Sequence, residues 1–260
     1  MNSLAQSIAN SMDCTNHEII PFLPYILQDF WEIGASPPVI KNLIEKHTQV
    51  PRQLRALDLG CGKGAVTITL ASELHCYCLG IDAIEEFINE AKSKAKALHL
   101  DSLCSFEVND IRQRITELPR YDVIILGAIG PVFGNYYETL TTLATSLNDT
   151  GIIIIDDGYI DDSSSFEYPL MLKKGDLFQQ IHDAGMQLID EVIMSDMEEA
   201  EEVYGEEFQN IERRCHELRI KHPEKAYLFE EYLHKQQEEY DILKHKVVCA
   251  TFVIQSKITM

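Results

Sequence analysis

The sequence predicts an α/β fold with a doubly wound sheet, and two observations support this prediction. Between residues 55 and 157, short apolar segments alternate with longer segments whose apolar residues recur at helical spacing. The short segments are continuous runs rich in Val, Ile and Leu, which indicates strands that are buried on both faces. Strands of this kind, separated by helices, form parallel sheets from right-handed βαβ units.

The predicted elements follow one another along the chain. The core strands are RALDLG (55–60), CYCLGI (76–81), LCSFEV (103–108), YDVIILG (121–127) and GIIIID (151–156). Helices are expected around 64–74, 83–99 and 135–147. A helix over 175–184, a strand MQLIDEVIM (186–194) and a final strand VVCATFVIQ (247–255) complete the domain.

Residues 1–50 are expected to form a helical segment that folds over the edge of the sheet as a lid, and 51–260 the main domain. Its helices are predicted over 21–31 and 37–47. The second has a favourable N-terminus, because Ser36 can cap it and Pro37 occupies the first helical position, where an N–H is not needed for a hydrogen bond within the helix.

A charged insertion is predicted at about 196–245. Residues 196–241 contain 15 acidic and 6 basic residues, which is −9 of the total charge. Apolar residues recur there at steps of three and four, and His222-Pro223 interrupts the pattern. We therefore expect an amphipathic helical hairpin whose acids mostly face solvent and whose stripe packs on the protein. The stripe comprises Ala200, Tyr204, Phe208, Ile211, Cys215 and Leu218.

The composition narrows the possible partners. The 260 residues include 22 basic and 42 acidic ones, a net charge of −20. Such a chain is a poor ligand for nucleic acid or an anionic membrane surface. The seven cysteines form no C-x-x-C motif and are expected to be reduced core thiols. Without a signal-like start or a long apolar run, the protein is expected to be cytoplasmic.

A glycine-rich loop is the most informative motif. In LDLGCGKG (57–64), three glycines alternate at the junction of the first strand and its helix, which lets a ligand approach the backbone. Asp82 ends the second strand, 22 residues after Gly60, where an acid commonly binds ribose hydroxyls. Asn109 and Asp110 end the third strand. Asp82 and Asp110 could instead cap the helices that follow them.

Taken alone, the loop is ambiguous, since Gly60-x-Gly62-x-x-Ala65 also fits the dinucleotide fingerprint. Asp58 argues against a dinucleotide site, because such a site usually has an apolar residue at that position.

Together these motifs resemble those of class I S-adenosylmethionine (SAM)-dependent methyltransferases, over about 55–195 and 247–255. The resemblance implies a Rossmann-like, seven-stranded sheet whose last strand is antiparallel, with SAM as cofactor. It places Gly60, Cys61 and Gly62 against the methionine part of the cofactor. It also places Asp82 on the ribose, Asp110 and Ile111 on the adenine, and the backbone of Gly127 and Ala128 at the ammonium group. The expected cofactor-binding residues are Asp58, Gly60, Cys61, Gly62, Gly64, Asp82, Ala83, Asn109, Asp110, Ile111, Gly127 and Ala128.

Other residues limit the classes of methyl acceptor that we expect. The loop GAIGPVFG (127–134) differs from the Asn-Pro-Pro-Tyr type motif of methyltransferases that act on nucleobases or protein amides. Asp156 and Asp157 resemble the magnesium ligands of catechol-type O-methyltransferases, but Gly127 stands where another carboxylate is needed, so no metal is predicted. Trp31, Asp157 and Tyr159 are candidate substrate-facing residues.

The function expected from the sequence is SAM-dependent methylation of a small molecule, with no nucleic-acid or membrane partner and the oligomeric state open. The N-terminal helices and the acidic hairpin are expected to form a lid over the acceptor pocket. The alternatives are a nicotinamide-dependent oxidoreductase and a non-catalytic binding module on the same fold.

Overall fold

A computed structural model describes residues 3–49, 53–169, 171–194 and 197–257, without the side chains of 197–204. Its centre is a seven-stranded sheet with strand order β3-β2-β1-β4-β5-β7-β6. Strands β1 to β5 are parallel, and β7 runs antiparallel to β5 and β6. The predicted α/β fold is confirmed. The strands are β1 Arg55–Leu59, β2 Tyr77–Asp82, β3 Cys104–Val108, β4 Tyr121–Gly127, β5 Leu147–Tyr159, β6 Met186–Ile193 and β7 Val248–Ser256.

Helices cover both faces of the sheet and extend beyond it. They are α1 Leu4–Ser11, α2 Leu23–Ile26, α3 Pro37–His47, α4 Ala65–Leu74, α5 Glu85–Ala97, α6 Ile111–Arg114, α7 Tyr136–Ala144, α8 Lys174–Asp183, α9 Met197–Lys221 and α10 Ala226–His245. Short 3-10 turns lie at His17–Phe22, Ile115–Glu117 and Pro223–Lys225.

The continuous apolar strands supply two hydrophobic cores, one on each face. In β4, Val123 and Ile125 belong to the cluster under α3 and α4, whereas Ile124 and Leu126 belong to the cluster under α7 and α8. Burial of both faces leaves the carboxyl ends of the strands as the edge where polar residues can gather.

The N-terminal segment differs from its prediction. The helix expected over 21–31 is a 3-10 turn followed by the four residues of α2. Beyond it, the carbonyls of Leu27 and Phe30 accept hydrogen bonds from the side chain of Lys63. Helix α1 was not predicted at all.

The acidic hairpin forms as α9 and α10, and the chain breaks between them at Pro223–Lys225, as predicted. Its apolar stripe packs on the N-terminal segment: Ile211, Cys215 and Leu218 share a buried cluster with Leu23 and Ile26 of α2. Phe208 is half-buried. The side chains of Ala200 and Tyr204 lie outside the described residues.

The cysteines are free thiols, and six of the seven are buried. This agrees with their prediction as core residues. Within the described ranges, no helix is both long enough and apolar enough to cross a membrane.

Candidate functional site

A cavity opens at the carboxyl ends of β1 to β4, and we call it the strand-end cavity. It lies where the sequence places the cofactor, because parallel strands deliver their last residues to one edge of the sheet. Nine of the twelve expected cofactor-binding residues line it: Gly60, Gly62, Asp82, Ala83, Asn109, Asp110, Ile111, Gly127 and Ala128.

The glycine loop forms one wall of the strand-end cavity. Gly60 has a φ of +74°, and its N–H donates to the carbonyl of Ile81 at 2.8 Å. A Cβ on Gly60 would lie 2.6 Å from Cγ2 of Ile129, so a larger residue would both strain the backbone and displace the opposite wall. The loop therefore needs glycine for its turn and for close approach.

Asp82 connects the end of β2 to the loop. Its carboxylate accepts hydrogen bonds from the N–H groups of Gly62 at 2.9 Å and Ile84 at 2.8 Å. Burial raises the pKa of Asp82 above its ordinary value, and these backbone donors oppose the shift. The carboxylate is thus held by backbone groups at the cavity wall, where it can accept hydrogen bonds from a ligand.

Asp110 has a different environment at the end of β3. It caps α6 by accepting from the N–H of Arg112 at 3.0 Å, which is the alternative that the sequence left open. The Arg112 guanidinium also binds its carboxylate, at 2.9 and 2.7 Å. The hydrogen bond from this side chain holds the pKa of Asp110 below its ordinary value.

Asp58, Cys61 and Gly64 lie outside the cavity lining. Asp58 is buried beneath the loop and accepts from the Thr67 hydroxyl at 2.7 Å, while burial raises its pKa to about 6. The Cys61 thiol faces Gly80, and Gly64 faces Phe106. These residues support the loop from below.

Helix α1 closes the outer side of the strand-end cavity. Leu4, Ser7, Ile8 and Ser11 line it from this helix, and Met12 lines it from the C-cap position. The sequence reasoning missed these residues, although Ser3 is a suitable N-cap and its side chain accepts from the N–H of Gln6. No described residue of the hairpin α9–α10 lines the cavity.

A second cavity lies beside the first, between the ends of β4 and β5 and the loop that leads to α7. We call it the Asp157 cavity. Its lining includes Ile129, which also lines the strand-end cavity, together with Asp156 and Asp157. The Tyr136 hydroxyl donates to Asp157 at 2.8 Å. Burial raises the pKa of both Tyr136 and Asp157.

The other two candidate substrate-facing residues line neither cavity. Tyr159 is buried beside Phe252, and its hydroxyl accepts from Lys174 at 3.0 Å. Trp31 packs against the core, with the Lys94 ammonium 3.5 Å from its ring centroid. The structure therefore brings only Asp157 of the three to a cavity.

The lining of both cavities is acidic and apolar. Among the described residues that line them, carboxylates occur at Asp82, Asp110, Asp156 and Asp157, and there is no Lys, Arg or His. In the same described ranges, no group of three or more His, Cys, Asp or Glu side chains is arranged to hold a metal ion. The electrostatics suit a neutral or cationic ligand.

Known proteins resemble this chain in sequence and in fold. A curated relative, the release factor glutamine methyltransferase of Buchnera aphidicola subsp. Baizongia pistaciae (strain Bp), is 33% identical over 100 residues, which is 34% of this chain and 36% of the relative. The chain thus matches about a third of that protein's length.

Two solved structures share the fold. They are SAM-dependent methyltransferases from Thiobacillus denitrificans (TM-score 0.73) and Geobacter sulfurreducens (TM-score 0.75), both crystallised with S-adenosylhomocysteine. Each is 18% identical, and each match covers 91% of this chain and 98% of the other.

A family model described as a methyltransferase domain matches residues 52–246, which is well over half of the chain. This match includes the glycine loop and all four strand ends that line the cavity. The chain therefore belongs to the methyltransferase domain family, whose cofactor is S-adenosylmethionine.

Proposed function

We propose that this chain transfers a methyl group from SAM to a small-molecule acceptor. The observation that carries this proposal is the strand-end cavity, where the glycine loop, Asp82, Asp110 and the Gly127-Ala128 turn converge on one space. The family membership supports the same reaction. The acidic lining supports a cofactor that carries a positive charge and no phosphate.

The residues present fit SAM. The Gly60 turn leaves room for close backbone approach, and the Asp82 carboxylate is placed for the ribose hydroxyls. Asp110 and the N–H of Ile111 would meet the adenine, and the Gly127-Ala128 backbone would meet the methionine ammonium. When bound, SAM would supply a methyl group on a positively charged sulfur, activated for transfer to a nucleophile.

The protein's part in such a reaction is alignment and exclusion of water. Helix α1 covers the strand-end cavity, and Ile129 lines both this cavity and the Asp157 cavity. We assign α1 the role of a lid. The hairpin supports this lid from outside, because Cys215 of α9 and Ala9 of α1 belong to the same buried cluster.

A small-molecule acceptor is favoured over a protein amide. The curated relative acts on a release factor, but it matches only about a third of this chain. After β4 this chain continues Gly127-Ala128-Ile129-Gly130, in place of the Asn-Pro-Pro-Tyr type motif. The net charge of −20 disfavours nucleic acid.

Calorimetry tests the cofactor assignment. We expect the protein to bind SAM and S-adenosylhomocysteine with micromolar or tighter dissociation constants and to show no heat with NADH. Binding of NADH without SAM would select an oxidoreductase. Binding of neither would favour a non-catalytic module on this fold.

A further inference from the structure

The Asp157 cavity lies directly beside the strand-end cavity. Gly127, at the rim of the strand-end cavity, pairs in register with Asp156, which lines the Asp157 cavity. The N–H of Ala128 donates to the Asp156 carbonyl at 3.0 Å. Ile129 lines both spaces. A molecule in the Asp157 cavity would therefore lie next to a cofactor bound at the strand ends.

The walls of this cavity combine two kinds of surface. Apolar side chains, including Leu126, Ile155 and Met171, form much of the lining. The polar part of the lining includes Tyr136 and Asp157, which are hydrogen-bonded to each other. Such a mixture of apolar surface with a few placed polar groups is typical of small-molecule sites.

The polar groups of the lining also disfavour anionic ligands. Asp156 and Asp157 are adjacent on β5, and the described lining contains no cationic side chain to balance an anion. The hydroxyl of Thr251 and the N–H of Ser36 are partners of Asp156, and neither carries charge. A carboxylate or phosphate ligand would meet like charge with no cationic side chain in the described lining to offset it, which is unfavourable.

We infer that the Asp157 cavity holds the methyl acceptor, and that this acceptor is a neutral or cationic molecule with an O–H or N–H group rather than an anion. This inference rests on the proposed function. The acceptor lone pair forms the bond to the methyl carbon, the electron pair of the broken sulfur–carbon bond returns to sulfur, and the acceptor proton passes to the Asp157 carboxylate. The Tyr136 hydroxyl holds that carboxylate in place.

Charge selection can be measured without knowing the acceptor. Thr139 is buried and lines the cavity, so Thr139→Cys offers a thiol on the cavity wall. We would label this variant at pH 8, with S-adenosylhomocysteine bound, using methanethiosulfonates that carry either trimethylammonium or sulfonate. Rates are normalised to those with free cysteine. The parent chain corrects for labelling of native cysteines.

We expect the cationic reagent to label the introduced thiol at least about 10-fold faster than the anionic reagent. Adding Asp157→Asn should reduce the difference between the two rates, because it removes one of the two carboxylates in the lining. Equal rates in Thr139→Cys, or faster labelling by the anion, would overturn the inference. Met171→Cys, elsewhere in the cavity lining, repeats the measurement if Thr139→Cys fails to fold.

A transfer assay then tests the acceptor role. Tritiated SAM is offered to the wild-type protein, and in parallel to Thr139→Cys, with three pools of small alcohols, phenols and amines. The molecules of these pools carry an added ammonium, no charge or a carboxylate. We expect labelled product in the first two pools, and its loss when the introduced thiol is blocked by methyl methanethiosulfonate. Product from the carboxylate pool, transfer that survives the block, or no product in any pool contradicts the inference. Calorimetric binding of S-adenosylhomocysteine to the blocked protein shows separately whether the proposed function still holds.

Discussion

The side chain of Lys63 donates a hydrogen bond to the carbonyl of Phe30 at 2.8 Å, and it donates a second to Leu27 at 3.0 Å. Lys63 belongs to the glycine loop, yet only 2% of its surface is exposed. Its ammonium also pairs with Glu90 at 3.2 Å. The loop that forms the cavity wall is therefore tied directly to the N-terminal segment that leads from the lid.

Replacing this lysine should destabilise the fold. Lys63→Met keeps the apolar stem but leaves two carbonyls without their charged donor, and each such bond contributes roughly 1.5–3 kcal/mol. We expect the free energy of unfolding in urea to fall by about 3 kcal/mol. Lys96→Met, on the exposed face of α5, should change it by less than about 0.5 kcal/mol. Equal unfolding midpoints for the two variants would show that the hydrogen bonds from Lys63 to Leu27 and Phe30 contribute nothing to stability.

The lid is expected to slow release of the ligand. Ile8 lines the strand-end cavity from α1, so Ile8→Gln should weaken apolar contact with a bound nucleoside without breaking the helix. We expect S-adenosylhomocysteine to dissociate about 10-fold faster in stopped-flow measurements, which corresponds to ~1.4 kcal/mol. Asn10→Ala, on the exposed side of the same helix, serves as the control. A dissociation rate unchanged by Ile8→Gln would argue against α1 as the lid.

A pair of carboxyl groups joins the N-terminal segment to the hairpin. Asp13 follows α1 and is hydrogen-bonded to Glu239 of α10. Burial, followed by this contact, raises the pKa of Glu239 to about 9, and burial raises the pKa of Asp13. Cys14 and Tyr168 interact electrostatically with both carboxyl groups, Tyr232 interacts with Asp13, and Cys249 interacts with Glu239.

The pair makes stability depend on pH. Between the ordinary pKa of 4.5 and the folded value of about 9, the folded protein keeps a proton on Glu239 that the unfolded chain has lost. The stabilisation is complete below pH 4.5 and is lost as the pH rises through this window. We expect the free energy of unfolding to fall between about pH 5 and pH 8, and Glu239→Gln to flatten this dependence.

Urea unfolding at several pH values checks this expectation. Asp241→Asn removes a carboxylate from an exposed position on the same helix, and it should keep the wild-type pH profile. If Glu239→Gln also keeps that profile, the proton shared by Asp13 and Glu239 does not control stability.

The sheet and the strand-end cavity could be predicted because short stretches of sequence identify the strands and the residues at their ends. Continuous apolar runs identify the strands, and Gly60, Asp82 and Asp110 each lie at or directly after a strand end. Helix α1 could not be predicted in this way, since a helix of eight residues is too short to be stable alone and gains its stability from packing at residues such as Ala9.

Contacts between residues that lie far apart in the sequence could not be predicted either. Nothing near Lys63 in the sequence indicates that Leu27 and Phe30 present their carbonyls to it. The contact between Asp13 and Glu239 depends on how the hairpin docks. Tertiary packing, rather than local pattern, decides these interactions.

We expect SAM to bind in the strand-end cavity through Asp82. Titration calorimetry with S-adenosylhomocysteine tests it most directly, comparing the wild type with Asp82→Ala and with Asp101→Ala, an exposed acid before β3. We predict that Asp82→Ala raises the dissociation constant about 100-fold, or ~2.7 kcal/mol, and that Asp101→Ala leaves it unchanged. Wild-type affinity in Asp82→Ala would contradict the assignment of this cavity.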